Sequence, residues 1–331
     1  MLKRIAALTA LLALAVWGGL HLTTNDTPSA LTPGRTVLSV YTTGQATTPQ
    51  MPLWKALADG KLTFTPDIHY WKNLDDLRGL LLSGKGDIWV GHIDGFAQAA
   101  MRGAPIRLVS VTGWKKFYLL SSRPDIRSFE DIARLPAGSE IASSPPHSPG
   151  AAVMRALEDF GLPEFTYAPY EPKQLSLMAM QGKIDLLLMP EPLVTVLLKK
   201  APHLHIVASI EEEYGKLTGK PAVLPIAGIA VNTNTLKRHP KLADQLEEAL
   251  KQQETSLQEN PALGLTTLPK QFERFIPRHI VLSSLERDVI KIRSALDSKA
   301  MILDYLNILF SKKGLHTQKI LLPDSFFGGA Q

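Results

Sequence analysis

Two stretches decide how the chain reads: "SGKGDIWVGHIDGF", Ser83 to Phe96, and "QGKIDLLLMPEPLV", Gln181 to Val194. Each runs Gly-Lys-x-Asp, then an apolar run, a polar turn and a helical pattern, and the second copy starts 98 residues after the first. A glycine that ends a helix, an aspartate that opens a strand and an unbroken apolar run predict a central strand buried on both faces. The polar turn then falls at the strand's carboxyl end, where open α/β sheets place their ligands. Two copies predict two lobes whose turns, "GHIDG" and "MPEPL", face each other across a cleft.

Working outward, "TVLSVYTT", "MPLWKALADGK" and "LTFTPDIHYW" read as strand, helix and strand, and the alternation continues to "IRLVSVTGW". After "KKFYLLSS" it restarts and runs through "HLHIVAS". The expected fold is α/β and two-lobed, each lobe a mainly parallel sheet flanked by helices. The expected domains are 36–120 for the first part of lobe 1, 121–222 for lobe 2, and 223–331 for a return to lobe 1 plus C-terminal helices. Gly228 to Val231 carry the return. "PKLADQLEEALKQQETSLQ" and "SLERDVIKIRSALDSKAMILDYLNILF" read as mostly helical.

At the start, Lys3 and Arg4 precede an uncharged apolar stretch from Ile5 to Leu20, the layout of an export signal. Residues 1–22 are expected to be a signal peptide or, since the run approaches the ~20 residues of a spanning helix, an uncleaved membrane tether. Residues 23–35 read as a linker. The absence of cysteine excludes a lipid-modified N-terminal Cys, disulfides, Cys-zinc sites and thiol catalysis. Export without a lipid anchor points to the periplasm of a Gram-negative cell. The net charge of +5 comes from scattered Lys and Arg, without the basic stripe of a nucleic-acid binder.

Candidate ligand-binding residues fall in the loops after predicted strands. Thr42, Thr43 and Gln45 bring hydroxyls and an amide after the first strand. Ser143, Ser144, His147 and Ser148 precede a helix that starts near Pro149, an arrangement suited to an anion, with Ser148 also placed to cap that helix. His92 and Asp94 on one lobe and Glu191 on the other suit a cationic or polyhydroxylated group, and Glu191 has its own helix start as an alternative partner. Trp114, at a strand end, is the candidate for stacking on a ligand ring. No cofactor is expected.

The segments "LLLSGKGDIWVGHIDGFAQAAMRGAPIRLVS", "SFEDIARLPAGSEIASSPPHSPGAAVMRALEDFGL" and "LLLMPEPLVTVLLKKAP" together resemble the periplasmic substrate-binding proteins of ABC importers. The resemblance is to the nitrate/sulfonate/taurine group, with its relatives that bind thiamine pyrimidine precursors, and covers about Thr36 to His239. It implies a type II periplasmic-binding-protein fold that closes on a small organic or oxyanionic solute and delivers it to the transmembrane subunits of an ABC permease, with the binding protein a monomer. The solute it implies is a sulfonate, nitrate or pyrimidine-like molecule, although "ARLPAG" and the proline-rich ligand loop "SPPHSPG" depart from the family pattern. Two alternatives stay open: a sensor or accessory protein of the same fold, and a metal-binding protein using His69, His92, His147, Asp94 or Glu191. Enzymatic activity is not expected, because no nucleophile elbow, Walker loop or catalytic carboxylate pair is present.

Overall fold

The computed structural model describes residues 35–274, 276–310 and 320–328. The expected signal or tether at 1–22 and the linker up to residue 34 lie outside them. Among the described residues no helix is long and apolar enough to cross a membrane.

The chain opens with β1 (Val37–Thr42), α1 (Met51–Ala58), β2 (Thr65–Tyr70), α2 (Leu74–Leu82), β3 (Ile88–His92), α3 (Ile93–Met101) and β4 (Ile106–Gly113). It crosses into β5 (Phe117–Ser121), α4 (Phe129–Ala133), β6 (Glu140–Ser143), α5 (Pro149–Glu158), β7 (Thr166–Pro169) and α6 (Pro172–Met180). Next come β8 (Leu186–Pro190), α7 (Leu193–Lys200), β9 (His205–Ser209), α8 (Ile210–Thr218), β10 (Ala227–Asn232) and α9 (Thr233–Arg238). The remainder is α10 (Leu242–Lys251), α11 (Glu254–Glu259), α12 (Pro261–Thr266), α13 (Arg278–Ser284), β11 (Arg293–Ser294) and α14 (Lys299–Phe310).

The strands form two sheets, in the orders β11-β4-β10-β3-β1-β2 and β7-β6-β8-β5-β9. In each, a lobe's first strand pairs in parallel with its second and third, and an antiparallel visitor separates the third from the fourth. The visitors are the crossing strands, β10 in the first sheet and β5 in the second. They make both sheets mixed, and they give the two lobes one topology.

The repeated Gly-Lys-x-Asp builds the same joint twice. Gly84 and Gly182 take left-handed backbone (φ 65° and 66°) just past α2 and α6. The N–H groups of Gly84 and Lys85 donate to Leu81 and Leu80, and those of Gly182 and Lys183 to Ala179 and Met178, so both helices end in a Schellman motif. The aspartate that follows clamps a serine of the neighbouring strand's chain. Asp87 accepts from the Ser39 N–H (2.9 Å) and hydroxyl (2.8 Å), and Asp185 accepts from the Ser122 hydroxyl. Both clamps stand at the amino end of the strand, so the repeat positions β3 and β8.

The C-terminal region departs from its helical expectation. α10 and α11 fulfil it in the first segment, but in the second, residues 288–292 form no helix, Arg293 and Ser294 pair with β4, and the α-helix is confined to α14. Val289, Ile290 and Ile292 are β-branched and favour extended backbone. α8, which the sequence pattern did not pick out, starts directly after β9. One apolar cluster joins Leu77, Ile93 and Phe96 of the first lobe to Val153, Met154 and Leu157 of the second through Ile302, Tyr305 and Leu306 of α14. Separate clusters line the far face of each sheet.

Candidate ligand-binding cleft

The hinge is a pair of antiparallel crossings held together by backbone bonds. The Leu224 N–H donates to the Trp114 carbonyl and the Ile226 N–H to the Gly113 carbonyl, both at 2.9 Å. Glu211, in the first turn of α8 and without exposed surface, accepts from the N–H groups of Lys116 (2.7 Å) and Phe117 (3.1 Å). Burial pushes its pKa up to about 7, against the lowering effect of these amides. The turns of both lobes meet this hinge. The N–H of Ile93, which opens α3, donates to the Ile226 carbonyl (3.0 Å), and the N–H of Glu191 donates to the Lys116 carbonyl (2.8 Å). Gly150, in the first turn of α5, packs so closely that a Cβ there would lie 2.7 Å from the Phe117 ring.

The sequence-predicted residues divide into those already engaged and those left without partners. Thr42 is buried and donates to the Gln50 side chain, which also bonds the Gln45 carbonyl and Thr43 (3.3 Å), so this loop is knitted by its own groups. The Gln45 side chain is exposed. Trp114 is buried, donates its indole N–H to the Lys291 carbonyl (2.7 Å) and has the Lys291 ammonium 5.3 Å from its ring. The C-terminal segment thus takes the place proposed for a ligand ring.

On the second lobe, Ser143 donates to the Ala168 carbonyl (3.4 Å), and Ser148 caps α5 by accepting from the Gly150 N–H (3.4 Å). His147 is exposed, with φ 59°. The Ser144 hydroxyl is buried and without a partner. Glu191 is buried and accepts from the Thr195 N–H and hydroxyl (3.1 Å each), the helix-start role left open by the sequence. It also accepts from Arg287 at 2.7 Å.

Arg287 belongs to a group that no local pattern reveals. A short 3-10 turn, Leu285–Arg287, carries Arg287 and Asp288 between the lobes. Arg287 grips Glu191 and the Thr195 hydroxyl on the second lobe. Asp288 bonds Lys116 of the hinge and Thr48 of the first lobe, while the Tyr118 hydroxyl donates to the Arg287 carbonyl (2.6 Å). Lys116 also donates to Thr48.

His92 and Asp94 stand apart from this network. His92 Nδ1 is 3.9 Å from Asp94 Oδ1, and both atoms are buried without a hydrogen-bond partner. Burial lowers the His92 pKa, with the Asp94 charge opposing and Arg78 reinforcing, so the ring is neutral. Tyr305 of α14, another buried hydroxyl without a partner, feels the charges of Asp94 and Glu211. Among the described residues no group of three histidine or carboxylate side chains is placed to hold a metal ion. A pocket of about 420 Å3 lies elsewhere, at the amino end of β1 against α10, and no sequence-predicted site residue lines it.

No protein-family model matches the sequence, and no curated protein matches it. Solved structures do match. A protein described as an ABC transporter from Parabacteroides distasonis superposes with TM-score 0.67 at 17% identity, covering 90% of this chain and 99% of that one. The alkanesulfonate-binding protein SsuA of Xanthomonas axonopodis pv. citri, bound to MOPS, gives TM-score 0.60 at 17% identity, covering 89% and 99%. The periplasmic nitrate-binding protein NrtA of Synechocystis PCC 6803 gives 0.60 at 13%, covering 84% and 82%. With its two matching sheets, its visiting strands and its paired turns at the hinge, the chain has the type II periplasmic-binding-protein fold of these structures.

Proposed function

We propose that the protein is a non-catalytic, extracytoplasmic solute-binding protein that captures a small solute between its lobes and delivers it to the transmembrane subunits of an ABC permease. The observation that carries this reading is the meeting of both lobes' turns at one hinge: Lys116 binds Glu191 through its carbonyl and Thr48 through its ammonium. Ligand would then shift the population of lobe arrangements about the paired crossings. The solute-binding names of the structural neighbours support the same role. The domain reading has 36–120 and 223–331 serve lobe 1 and 121–222 serve lobe 2, with the first crossing slightly earlier, since β5 from Phe117 already pairs in the second sheet. The protein works as a monomer in the periplasm, released from its signal or held by an N-terminal tether.

Native mass spectrometry of protein purified from periplasm without refolding tests this reading. One small molecule per chain, lost on denaturation, is the expected result. A bare mass, with no thermal shift from sulfonates, nitrate or pyrimidines, would count against transport. It would favour a sensor or accessory role, a reading that also draws on the Arg287–Glu191 and Lys116–Asp288 pairs already spanning the cleft.

A further inference from the structure

The charges of the cleft do not balance evenly. Lys116 is paired with Asp288, and Arg287 with Glu191. Arg78, whose charge reaches His92, is engaged by Asp75 at 2.8 Å through Nη1, and its Nε is buried without a partner. Glu211 is satisfied by the hinge amides. Asp94 is different: it is 5% exposed, its Oδ1 has no hydrogen-bond partner, and its nearest ion-pairing group is the His92 ring at 3.9 Å. A buried carboxylate oxygen without a donor is costly, and the cost is relieved by a donor brought from outside.

Tyr305 supplies the second half of the site. It is 1% exposed, its hydroxyl has no partner, and it lies close enough to Asp94 to feel that charge. α14, which carries it, packs on α3 of the first lobe and on α5 of the second. Burial together with the Asp94 and Glu211 charges raises the Tyr305 pKa well above its ordinary value, so the hydroxyl keeps its proton. One carboxylate, one imidazole and one hydroxyl therefore lie where the two lobes and α14 meet, and each has a buried atom without a hydrogen-bond partner.

On the solute-binding reading above, we propose that this site takes its solute through a nitrogen donor of the amidine, amine or amide class, with Asp94 accepting from it and Tyr305 and His92 fixing its orientation. A bare oxyanion such as nitrate or a sulfonate would meet the Asp94 carboxylate, and Lys116, Arg287 and Arg78 are each already paired with a carboxylate. The resulting specificity differs in sign from that in the names of the sulfonate- and nitrate-binding neighbours.

Isothermal titration of the purified protein with acetamidine, methanesulfonate and nitrate tests the assignment. Acetamidine is expected to bind at one site per chain. Asp94→Asn should weaken it roughly 10- to 100-fold, as for a lost hydrogen bond to a charged group. The variant should keep or raise the melting temperature, because it removes a buried charge without a partner; a purely structural Asp94 would lower it. Tyr305→Phe, which keeps the packed ring, should also weaken acetamidine. Silence from acetamidine, or an affinity that Asp94→Asn leaves unchanged, overturns the nitrogen-donor assignment whatever the two anions do. The solute-binding reading itself falls only if native mass spectrometry also shows no bound molecule.

Discussion

Glu211 links the hinge to pH. Burial raises its pKa from 4.5 to about 7, so between those values the folded chain binds more protons than the unfolded one. The stability it confers is fully present below pH 4.5 and is lost as the pH rises through 7, with a span of roughly 3 kcal/mol. His92 acts in the opposite direction: its pKa is lowered by burial, so its contribution is present above pH 6.5 and lost as the pH falls through the folded value. Glu211→Gln keeps an oxygen for the two hinge amides and removes the titration. The melting temperature of the variant relative to the parent should therefore climb from pH 4.5 to 7, and a flat difference would mean that Glu211 does not titrate in this window. The sequence exposed residues whose partners are local: Ser148 caps the helix that follows it, and Glu191 bonds Thr195 four positions on. It could not expose Lys116, Arg287 or Asp288, because Asp288 lies 172 residues from Lys116 and Arg287 lies 96 from Glu191.

The turn Leu285–Arg287 shows how one short element sets the cleft. Its neighbours on either side are the helix α13, which packs on α7, and an extended stretch that leads into β11. The helical expectation failed here because "VIKIRS" carries no turn signal, and its extended form is fixed by pairing with β4 and by the Ala295 N–H bond to Val109 (2.9 Å). The repeated Gly-Lys-x-Asp succeeded because a Schellman motif and the strand start after it are written in consecutive residues. The Asp288 side chain is 2% exposed and that of Lys116 is 9% exposed. Asp288→Ala leaves the ammonium buried without its partner and should cost about 3–5 kcal/mol in urea unfolding. Adding Lys116→Met should recover most of that loss, since a buried pair replaced by apolar side chains is close to neutral. A double variant no more stable than the single one would show that the segment is held by packing and not by its charge.

The two lobes share a core, and this constrains how the molecule moves. α14 carries Ile302, Tyr305 and Leu306 into a cluster that holds Phe96 of the first lobe and Met154 of the second, so the sheets are not joined by the crossings alone. Closure of the cleft must turn about α14 or break this cluster, and breaking it exposes apolar surface at about 25 cal/mol per Å2. The lobes should accordingly unfold together, giving one calorimetric transition whose calorimetric and van't Hoff enthalpies agree. Leu306→Ala removes a fully buried side chain at this junction and should cost about 2–5 kcal/mol. If α14 couples the lobes, that loss lowers the single transition and then divides it, because each lobe keeps a far-face cluster of its own. Two transitions already present in the parent would mean that the shared cluster does not couple the lobes, and closure would then be governed by the paired crossings and the Arg287–Glu191 contact.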